Sequence, residues 1–372
     1  MGRGIMPLAS STLTSVTQWE DWQWQVDNRI TNASELEKWV TLTVEEKRAI
    51  HFSQGKFLFS LTPYWASLMD PTDFMCPIRR QAIPLDEEFR TSLQEVQDWS
   101  SEGVRLSGGR FTHFYPDRAV LSLQDQCILY CRFCPQRKVL SKDRQSSLEW
   151  EEIIHYLKDH PQINEIILSG GEPLLLKEEE LEEALSQLKS VPSIKTLRIE
   201  SRALSFLPQR ITPHLTKILR EHQPLYFVNH VNHPREITTE FSNAAAQLGD
   251  SGIPLLANTV LLREINDKPP ILAELFSQLI KLRIRPYRLI QMLPAQGTEH
   301  FRTTVSGGLR LIENLRGRLT GLALPEYVVD TGGGKVPLRY DSILSRNKKR
   351  LLLKNYEGKV FVYPEKVFTF SY

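Results

Sequence analysis

The sequence predicts an α/β fold in which a parallel sheet is covered by helices. From Arg118 onward, short apolar runs alternate with amphipathic segments of helical period, as in NEIILSG followed by EEELEEALSQLKS. About six such pairs follow one another, and strands that alternate with helices predict parallel pairing. Six pairs indicate a partial or closed barrel, in which the residues after each strand carry the chemistry.

The chain divides into three predicted regions. Residues 1–105 contain amphipathic patterns, such as SELEKWVTLTVEEKRAI and SLQEVQDWS, that predict a helical N-terminal region. Residues 106–323 hold the strand and helix pairs of the core. Residues 324–372 contain TGGGK and then RLLLKNYEGKVFVYPE, a predicted hairpin. We expect this C-terminal segment to cover the mouth of the barrel.

The composition is that of an ordinary globular protein with balanced charge. Of its 372 residues, 41% are hydrophobic and 24% are charged, and 46 basic against 44 acidic residues give a net charge of +2. No basic cluster indicates binding to nucleic acid, and no apolar run approaches the roughly 18 residues of a membrane span. Neither nucleic acid nor a membrane is therefore predicted as a partner. The first residues lack the apolar stretch of a secretory signal, so we expect a cytoplasmic protein.

Three of the four cysteines, Cys127, Cys131 and Cys134, lie within eight residues in the spacing C-x3-C-x2-C. Three thiolates can bind three irons of a [4Fe–4S] cluster and leave the fourth iron without a protein ligand. That iron can bind S-adenosylmethionine (SAM), from which one electron releases a 5′-deoxyadenosyl radical. A zinc site usually takes four ligands, often in two spaced pairs, which this region does not offer. The spacing therefore predicts a radical SAM enzyme.

A second motif, SGGEP, ends the predicted second strand. Gly170 and Gly171 let backbone groups approach the methionine ammonium of SAM, where a β-carbon would block the approach. Together with Glu172 they are predicted to bind this cofactor. A strand-ending sequence of this kind is as often only a tight turn, but its place one strand and helix after the cysteines favours SAM.

The chain resembles the lysine 2,3-aminomutase family, radical SAM enzymes that also use pyridoxal phosphate (PLP). The resemblance covers nearly the whole chain. It implies a (β/α)6 partial barrel and a reaction in which an amino group migrates between adjacent carbons of a small-molecule substrate, an amino acid. It also implies an external electron donor of flavodoxin or ferredoxin type and a homo-oligomer. It rests on these segments, in the family's order: WEDWQWQVDNRI, LTPYWASLMDP, IRRQAIP, YPDR, CILYCRFC, LSGGEPLL, LPQRIT, NHVNHPREIT, VLLREIND, GTEHFRT and DTGGGK.

Within this resemblance, Lys335 is the catalytic lysine that forms a Schiff base with PLP, and its three preceding glycines give it reach. In an arbitrary protein the same sequence would more often be a flexible or phosphate-binding turn. Arg118 matches an arginine that contacts the PLP phosphate, for which a guanidinium group is suited. Arg202, His230 and Asn258 match positions near SAM, where the alternatives are structural or capping roles.

Several positions depart from the family pattern. Gln136 replaces the arginine that holds the substrate carboxylate in lysine-specific members, with Arg137 as a candidate substitute. Asp330 matches one of two aspartates that bind the distal ammonium of lysine, but Leu293 replaces the other. Phe114 stands where a second arginine for the PLP phosphate is usual. Loss of a buried countercharge weakens binding by several kcal/mol, so a lysine side chain fits this site less well. We expect a substrate that is lysine or a related amino acid, with specificity shifted from that of the lysine-specific members.

The leading hypothesis is therefore an isomerase that moves the α-amino group of an amino acid to C3, with a [4Fe–4S] cluster, SAM and PLP as cofactors. Two alternatives stay open. One is a radical SAM enzyme that abstracts hydrogen for another reaction. The other is a catalytically silent Fe–S binding protein.

Overall fold

The computed structural model describes residues 15–56, 58–90, 103–136, 148–331, 334–339, 341–347 and 349–366. The predicted helical segment SLQEVQDWS, residues 92–100, lies outside them. The α-helices of this part of the chain are α1 (Val16–Trp19), α2 (Trp22–Asp27), α3 (Ala33–Leu36), α4 (Val44–Lys56), α5 (Pro63–Ser67), α6 (Pro77–Arg80), α7 (Trp150–Asp159), α8 (Glu178–Lys189), α9 (Ala203–Phe206), α10 (Pro213–Glu221), α11 (Thr239–Asp250), α12 (Pro269–Lys281) and α13 (Val305–Leu315).

The strands form a ten-stranded sheet, in chain order from β1 to β10, and a separate three-stranded sheet of β11, β12 and β13. Their bounds are β1 (Val104–Leu106), β2 (Phe111–Tyr115), β3 (Arg118–Gln124), β4 (Glu165–Gly170), β5 (Thr196–Ser201), β6 (Leu225–His230), β7 (Leu255–Leu261), β8 (Ile284–Gln291), β9 (Glu326–Thr331), β10 (Gly334–Pro337), β11 (Ile343–Arg346), β12 (Arg350–Lys354) and β13 (Val360–Pro364).

The large sheet confirms the predicted fold class. Strands β3 to β9 pair in parallel, each with the next, and each strand from β3 to β8 is followed by at least one helix. Strands β1, β2 and β10 add antiparallel edges. Strand β9 is a seventh parallel strand in the segment for which only a cover was predicted. Helix α13 returns the chain to the β8 edge, where EYVVDT extends the ladder.

The two ends of the large sheet meet, which curves it into a partial barrel. Tyr115 on β2 and Lys335 on β10 are separated by seven strands in the sheet order. Nevertheless, the hydroxyl of Tyr115 accepts a hydrogen bond of 2.7 Å from the backbone N–H of Lys335. A side chain therefore closes the barrel at this seam.

Residues along each parallel strand alternate between two environments, as barrel strands require. One set, which includes Leu121, Leu168 and Ile199, is fully buried in the apolar core under the helices. The other set faces the inner side of the curved sheet, which we call the lumen. Its polar members include Arg118, Ser122, Glu165, Arg198, Glu200, His230, Asn258, Arg288, Asp330 and Lys335.

A second apolar core joins the N-terminal helices to the carboxyl ends of the strands. Trp65 and Ile78 of the N-terminal region pack in it together with Ile128, Leu129 and Phe206 from the loops after β3 and β5. The N-terminal helices therefore contact the cysteine loop directly. The division at residues 105 and 323 stays a prediction.

The C-terminal sheet confirms the predicted hairpin, because β12 and β13 pair in antiparallel register from Arg350 to Lys354. Tyr363 on β13 fastens this sheet to the end of β8. Its hydroxyl donates to the carbonyl oxygen of Met292 at 2.8 Å and accepts from the side chain of Gln291 at 3.2 Å. In the part of the chain that the structure describes, no helix combines the length and the apolar character that crossing a membrane requires.

A buried ion pair ties the cysteine loop to the N-terminal region. The guanidinium of Arg132 lies 2.6 Å from the carboxylate of Glu88, and both side chains are at most 1% exposed. Arg132 also donates to the carbonyl oxygen of Leu58 at 2.8 Å. Removing one partner of such a pair leaves a buried charge without compensation.

We expect Glu88→Gln to lower the free energy of unfolding of the metal-free protein by about 3–5 kcal/mol, measured by urea denaturation. Asp86→Asn is the matched control. Asp86 lies in the same short helical turn, but its partner Arg48 is 52% exposed, so no measurable change is expected. Equal stabilities of the two variants would contradict a structural role for the Arg132–Glu88 pair.

Candidate functional site

The three cysteines lie in the loop that follows β3, at the carboxyl end of the sheet. All three are free thiols and partly exposed. Although the residue is partly exposed, the protein around its thiol excludes water, and this desolvation raises the pKa of Cys127 well above its usual value. The nearby groups Cys134, Glu172 and Cys131 raise this pKa further. No group of three His, Cys, Asp or Glu side chains among the described residues is arranged to hold one metal ion. A cubane instead takes one thiolate per iron, and three thiols in one loop fit that donor set.

Gly170 and Gly171 lie against the backbone of the cysteine loop. The N–H of Gly171 donates to the carbonyl oxygen of Gln124 and that of Glu172 to the carbonyl oxygen of Gln126, both at 2.8 Å. A Cβ on Gly171 would overlap the carbonyl oxygen of Gln126. These glycines therefore serve the contact between the two loops. Their predicted contact with SAM stays a prediction.

Glu172 is buried and its carboxylate faces the loop after β5. It accepts hydrogen bonds from the hydroxyl of Ser201 at 2.7 Å and the backbone N–H groups of Leu174 and Arg202 at 3.1 and 2.9 Å. Burial raises the pKa of Glu172, although these donors oppose the rise. In the structure this side chain positions the start of the loop that carries Arg202.

Arg202 contacts the cysteine loop directly. One guanidinium nitrogen lies 2.8 Å from Sγ of Cys131, and another lies 2.6 Å from the side-chain oxygen of Gln81 and 3.1 Å from the carboxylate of Glu236. Its guanidinium also lies 4.9 Å from the ring centre of Trp65. Burial acts to lower the pKa of Arg202, but Cys131 and Glu236 outweigh it and raise the pKa. Arg202 therefore lies beside the cysteine loop, and its predicted contact with SAM stays a prediction.

Gln81 is a completely buried residue that the sequence did not single out. Its side-chain oxygen accepts from Arg202 and from the amide of Asn232 at 2.9 Å, and its Nε2 donates to Glu236 at 3.1 Å. Its backbone oxygen accepts from the N–H of Arg132 at 3.0 Å. One residue of the N-terminal region thus connects three loops of the barrel. Its only signal was the segment IRRQAIP.

His230 ends β6 and faces the carboxylate of Glu200, with 3.7 Å between Nε2 and Oε2. Glu200 has a pKa lowered to about 2. Burial acts to raise this pKa, but the hydrogen bond and charge of His230, with the charges of Lys335 and Arg198, outweigh it. The lumen therefore contains a firmly ionised carboxylate between the predicted SAM side and Lys335.

Asn258 is 1% exposed, and neither atom of its side-chain amide has a hydrogen-bond partner among the described residues. Strand register places it opposite His230 on β6 and opposite Arg288 on β8. Buried polar groups are normally hydrogen-bonded. An unpartnered amide facing the lumen fits a ligand that supplies a donor and an acceptor.

Lys335 and Asp330 are partners of one another. Nζ of Lys335 lies 3.0 and 2.9 Å from the two carboxylate oxygens of Asp330, its register neighbour on β9. Burial acts to lower the pKa of Lys335, but the charges of Asp330 and Glu200 outweigh it and raise the pKa. The sequence assigned Asp330 to a substrate ammonium, and in the structure the ammonium that it holds is that of Lys335.

Arg118 and Lys335 come together around Tyr115, a residue that the sequence did not single out within YPDR. The guanidinium of Arg118 lies 3.7 Å from the ring centre of Tyr115, whose hydroxyl binds the backbone of Lys335. Gly334 has φ +95°, and a Cβ there would press on the Tyr115 hydroxyl and on Phe114. The two residues that the resemblance assigns to PLP therefore both contact Tyr115, and their binding of PLP stays a prediction.

For the other residues predicted to contact the substrate, the structure gives little beyond position and exposure. Gln136 is exposed at the end of the described part of the cysteine loop, and Arg137 lies outside the described residues. Leu293 is partly buried after β8, where its carbonyl oxygen accepts from the hydroxyl of Thr298 at 3.2 Å. Their predicted contacts with substrate stay predictions.

The chain is similar to known proteins along most of its length. The family model of the radical SAM superfamily matches residues 121–275, and that of lysine-2,3-aminomutase matches residues 312–368. The L-lysine 2,3-aminomutase of Clostridium subterminale is 39% identical over 95% of this chain and 86% of its own length. The L-lysine 2,3-aminomutase of Fusobacterium nucleatum is 39% identical over 94% and 83%. The glutamate 2,3-aminomutase of Clostridioides difficile is 37% identical over 92% and 82%.

The ion pair of Lys335 makes a testable prediction about its reactivity, because only the neutral amine is nucleophilic. Asp330→Asn removes the largest charge that raises the pKa of Lys335, and burial together with the charge of Arg288 then outweighs Glu200. The pH of half-maximal labelling of Lys335 by an amine-selective reagent should therefore fall. Peptide mass spectrometry gives the labelled fraction.

Asp250→Asn is the control for this measurement, because Asp250 pairs with the exposed Arg283 at 2.6 Å. It should leave the labelling of Lys335 unchanged. A midpoint that stays the same in Asp330→Asn would show that the ion pair does not set the protonation of Lys335.

Proposed function

The chain belongs to the lysine 2,3-aminomutase family of radical SAM enzymes, and from this membership we propose that it is a PLP-dependent 2,3-aminomutase that moves the α-amino group of an amino acid to C3. Membership itself establishes a radical SAM aminomutase, an isomerase that uses SAM and an Fe–S cluster. Such an enzyme acts on a small molecule and requires a reductant. The PLP dependence and the amino acid are the parts that we propose.

The observation that supports the proposal is that His230 and Asn258, assigned to SAM, and Arg118 and Lys335, assigned to PLP, face one lumen. Glu200 lies 3.7 Å from His230, and the charge of Lys335 helps to lower its pKa, so the predicted SAM side and the lysine lie near a single carboxylate. A hydrogen abstracted on the SAM side and an amino group held on the Lys335 side can then belong to one substrate. Proximity of the reacting groups is what this chemistry needs.

We propose that Cys127, Cys131 and Cys134 hold a [4Fe–4S] cluster and that Arg118 and Lys335 hold the phosphate and the aldehyde of PLP. When bound, the reduced cluster supplies the electron that cleaves SAM, and PLP supplies a conjugated ring that delocalises an unpaired electron. Arg202 keeps a positive charge beside Cys131. Asp330 holds the proton of Lys335 until the amine has to react.

The proposed substrate is lysine or a related free amino acid. The relatives include enzymes named for lysine and one named for glutamate, two amino acids whose side chains carry opposite charges. Gln136, Asp330 and Leu293 are the proposed contacts that decide between them. A flavodoxin or ferredoxin as electron donor and a homo-oligomeric state complete the proposal.

Replacing any one of Cys127, Cys131 or Cys134 with Ser should remove most of the iron from protein purified without oxygen, together with its visible absorbance, because each thiolate binds its own iron. Cys76→Ala is the control. Cys76 is a buried free thiol elsewhere in the chain and should be dispensable for iron. Full iron content in a variant of the triplet would contradict the cluster assignment.

Replacing Lys335 with Ala should abolish amino migration and the PLP absorbance while SAM is still cleaved to 5′-deoxyadenosine. The reason is that Lys335 is assigned to PLP and the cysteines are assigned to the cluster. Reconstituted protein is incubated with SAM, dithionite and the twenty common amino acids, and β-amino acids and 5′-deoxyadenosine are measured by mass spectrometry. Lys359→Ala, at an exposed lysine, is the control.

Migration that survives in Lys335→Ala would exclude this lysine as the PLP residue. If the unchanged protein forms 5′-deoxyadenosine but no β-amino acid, the aminomutase proposal is wrong.

A further inference from the structure

Arg288 is a lumen cation without a carboxylate partner among the described residues. The other lumen cations are paired: Arg118 lies 2.7 Å from Asp117, Arg198 lies 2.5 Å from Glu165, and Lys335 is held by Asp330. A charged side chain at a partly buried position is normally paired or solvated. Arg288 therefore stands out as the cation that is available to a ligand.

Only part of the Arg288 guanidinium forms hydrogen bonds with the described residues. One terminal nitrogen donates to the hydroxyl of Tyr287 at 2.7 Å, and the guanidinium lies 4.1 Å from the ring centre of the same tyrosine. Its Nε is buried and has no hydrogen-bond partner in the described part of the chain. The positive charge of Arg288 acts to lower the pKa of Lys335, so the two side chains lie within electrostatic reach of one another in the lumen.

Asn258, the neighbour of Arg288 on β7, also has hydrogen-bonding groups without a partner among the described residues. Asn258 pairs with it in the β7–β8 register, is 1% exposed, and has both side-chain atoms unpartnered. A guanidinium and an amide N–H together offer several donors toward one point. A carboxylate is the group that accepts this pattern, with two oxygens and about four acceptor sites.

We propose that Arg288 and Asn258 form the subsite for the carboxylate of the amino-acid substrate. The inference rests on the proposed function and names the substrate class: a free amino acid, because a lysine within a polypeptide lacks the free carboxylate. It also accounts for Gln136, which stands where lysine-specific members of the family have an arginine and is exposed here. In this chain, Arg288 on β8 then supplies the positive charge that binds the carboxylate.

The position of Arg288 favours a substrate carboxylate over the phosphate of PLP. Arg118, the residue assigned to the phosphate, lies on β3 against Tyr115. Arg288 and Asn258 lie on β8 and β7, which are separated from β3 by four and three strands, respectively, in the sheet order. His230 continues the same row on β6, toward the predicted SAM side.

The test measures binding and does not depend on turnover. Holoprotein loaded with PLP is titrated with each of the twenty common amino acids, and the change in PLP absorbance gives the affinity. The best ligand is then compared with its carboxamide, in which the carboxylate is neutral. Arg288→Gln should weaken binding of the amino acid by about 10- to 100-fold and leave binding of the carboxamide unchanged. Arg288→Lys should restore part of the loss.

Arg283→Gln is the matched control, since Arg283 immediately precedes β8 and pairs with Asp250 at the surface. It should change neither affinity. Thermal unfolding and the PLP absorbance of each variant show that it is folded and loaded.

Three results would overturn the inference. Arg288→Gln with unchanged affinity for the amino acid would remove Arg288 from the substrate site, and an equal loss for the carboxamide would indicate a structural role. A loss of affinity for PLP, but not for pyridoxal, would assign Arg288 to the phosphate. Failure of the unchanged protein to take up PLP, or to bind any amino acid, would instead refute the proposed function on which the inference rests.

Discussion

The close approach of two successive strand ends is the constraint on which the site depends. Backbone groups of Gly171 and Glu172 hydrogen-bond to the carbonyl oxygens of Gln124 and Gln126, and no Cβ fits between the two segments. The contact fixes the start of the cysteine loop on the end of β4. Because the carboxylate of Glu172 then binds the backbone of Arg202, the same contact also sets the end of β5. Three neighbouring strand ends thus share one framework of backbone hydrogen bonds.

Buried polar contacts from the N-terminal region complete this framework. Gln81 binds Arg202 and the backbone of Arg132, and Arg132 binds Glu88. The loop after β3 is therefore held from both sides, by the barrel and by the N-terminal helices. Apolar packing alone tolerates small shifts, whereas a buried charge without its partner costs several kcal/mol. The position of Arg202 beside Cys131 consequently depends on residues far away in the sequence.

Periodicity and spacing predicted the parts of the protein that have a local signal. Alternating strand and helix patterns predicted the parallel sheet, and the hairpin after residue 349 was found where its pattern lies. The contacts that organise the site had no such signal. Gln81 lies 121 residues from Arg202 and Tyr115 lies 220 residues from Lys335, so only the fold brings them together. The pairing of Lys335 with Asp330 was likewise hidden, because register decides it.

The charged side chains of the lumen bear on which substrate can bind. Asp330 holds Lys335 while that amine is free, and Leu293 brings no second carboxylate, so a distal ammonium group finds at most one countercharge there. Glu200 is already paired with His230. Arg288, in contrast, adds a positive charge without a carboxylate partner in the described part of the chain. An anionic group of the ligand is therefore favoured beside Arg288, because an uncompensated charge is costly away from water.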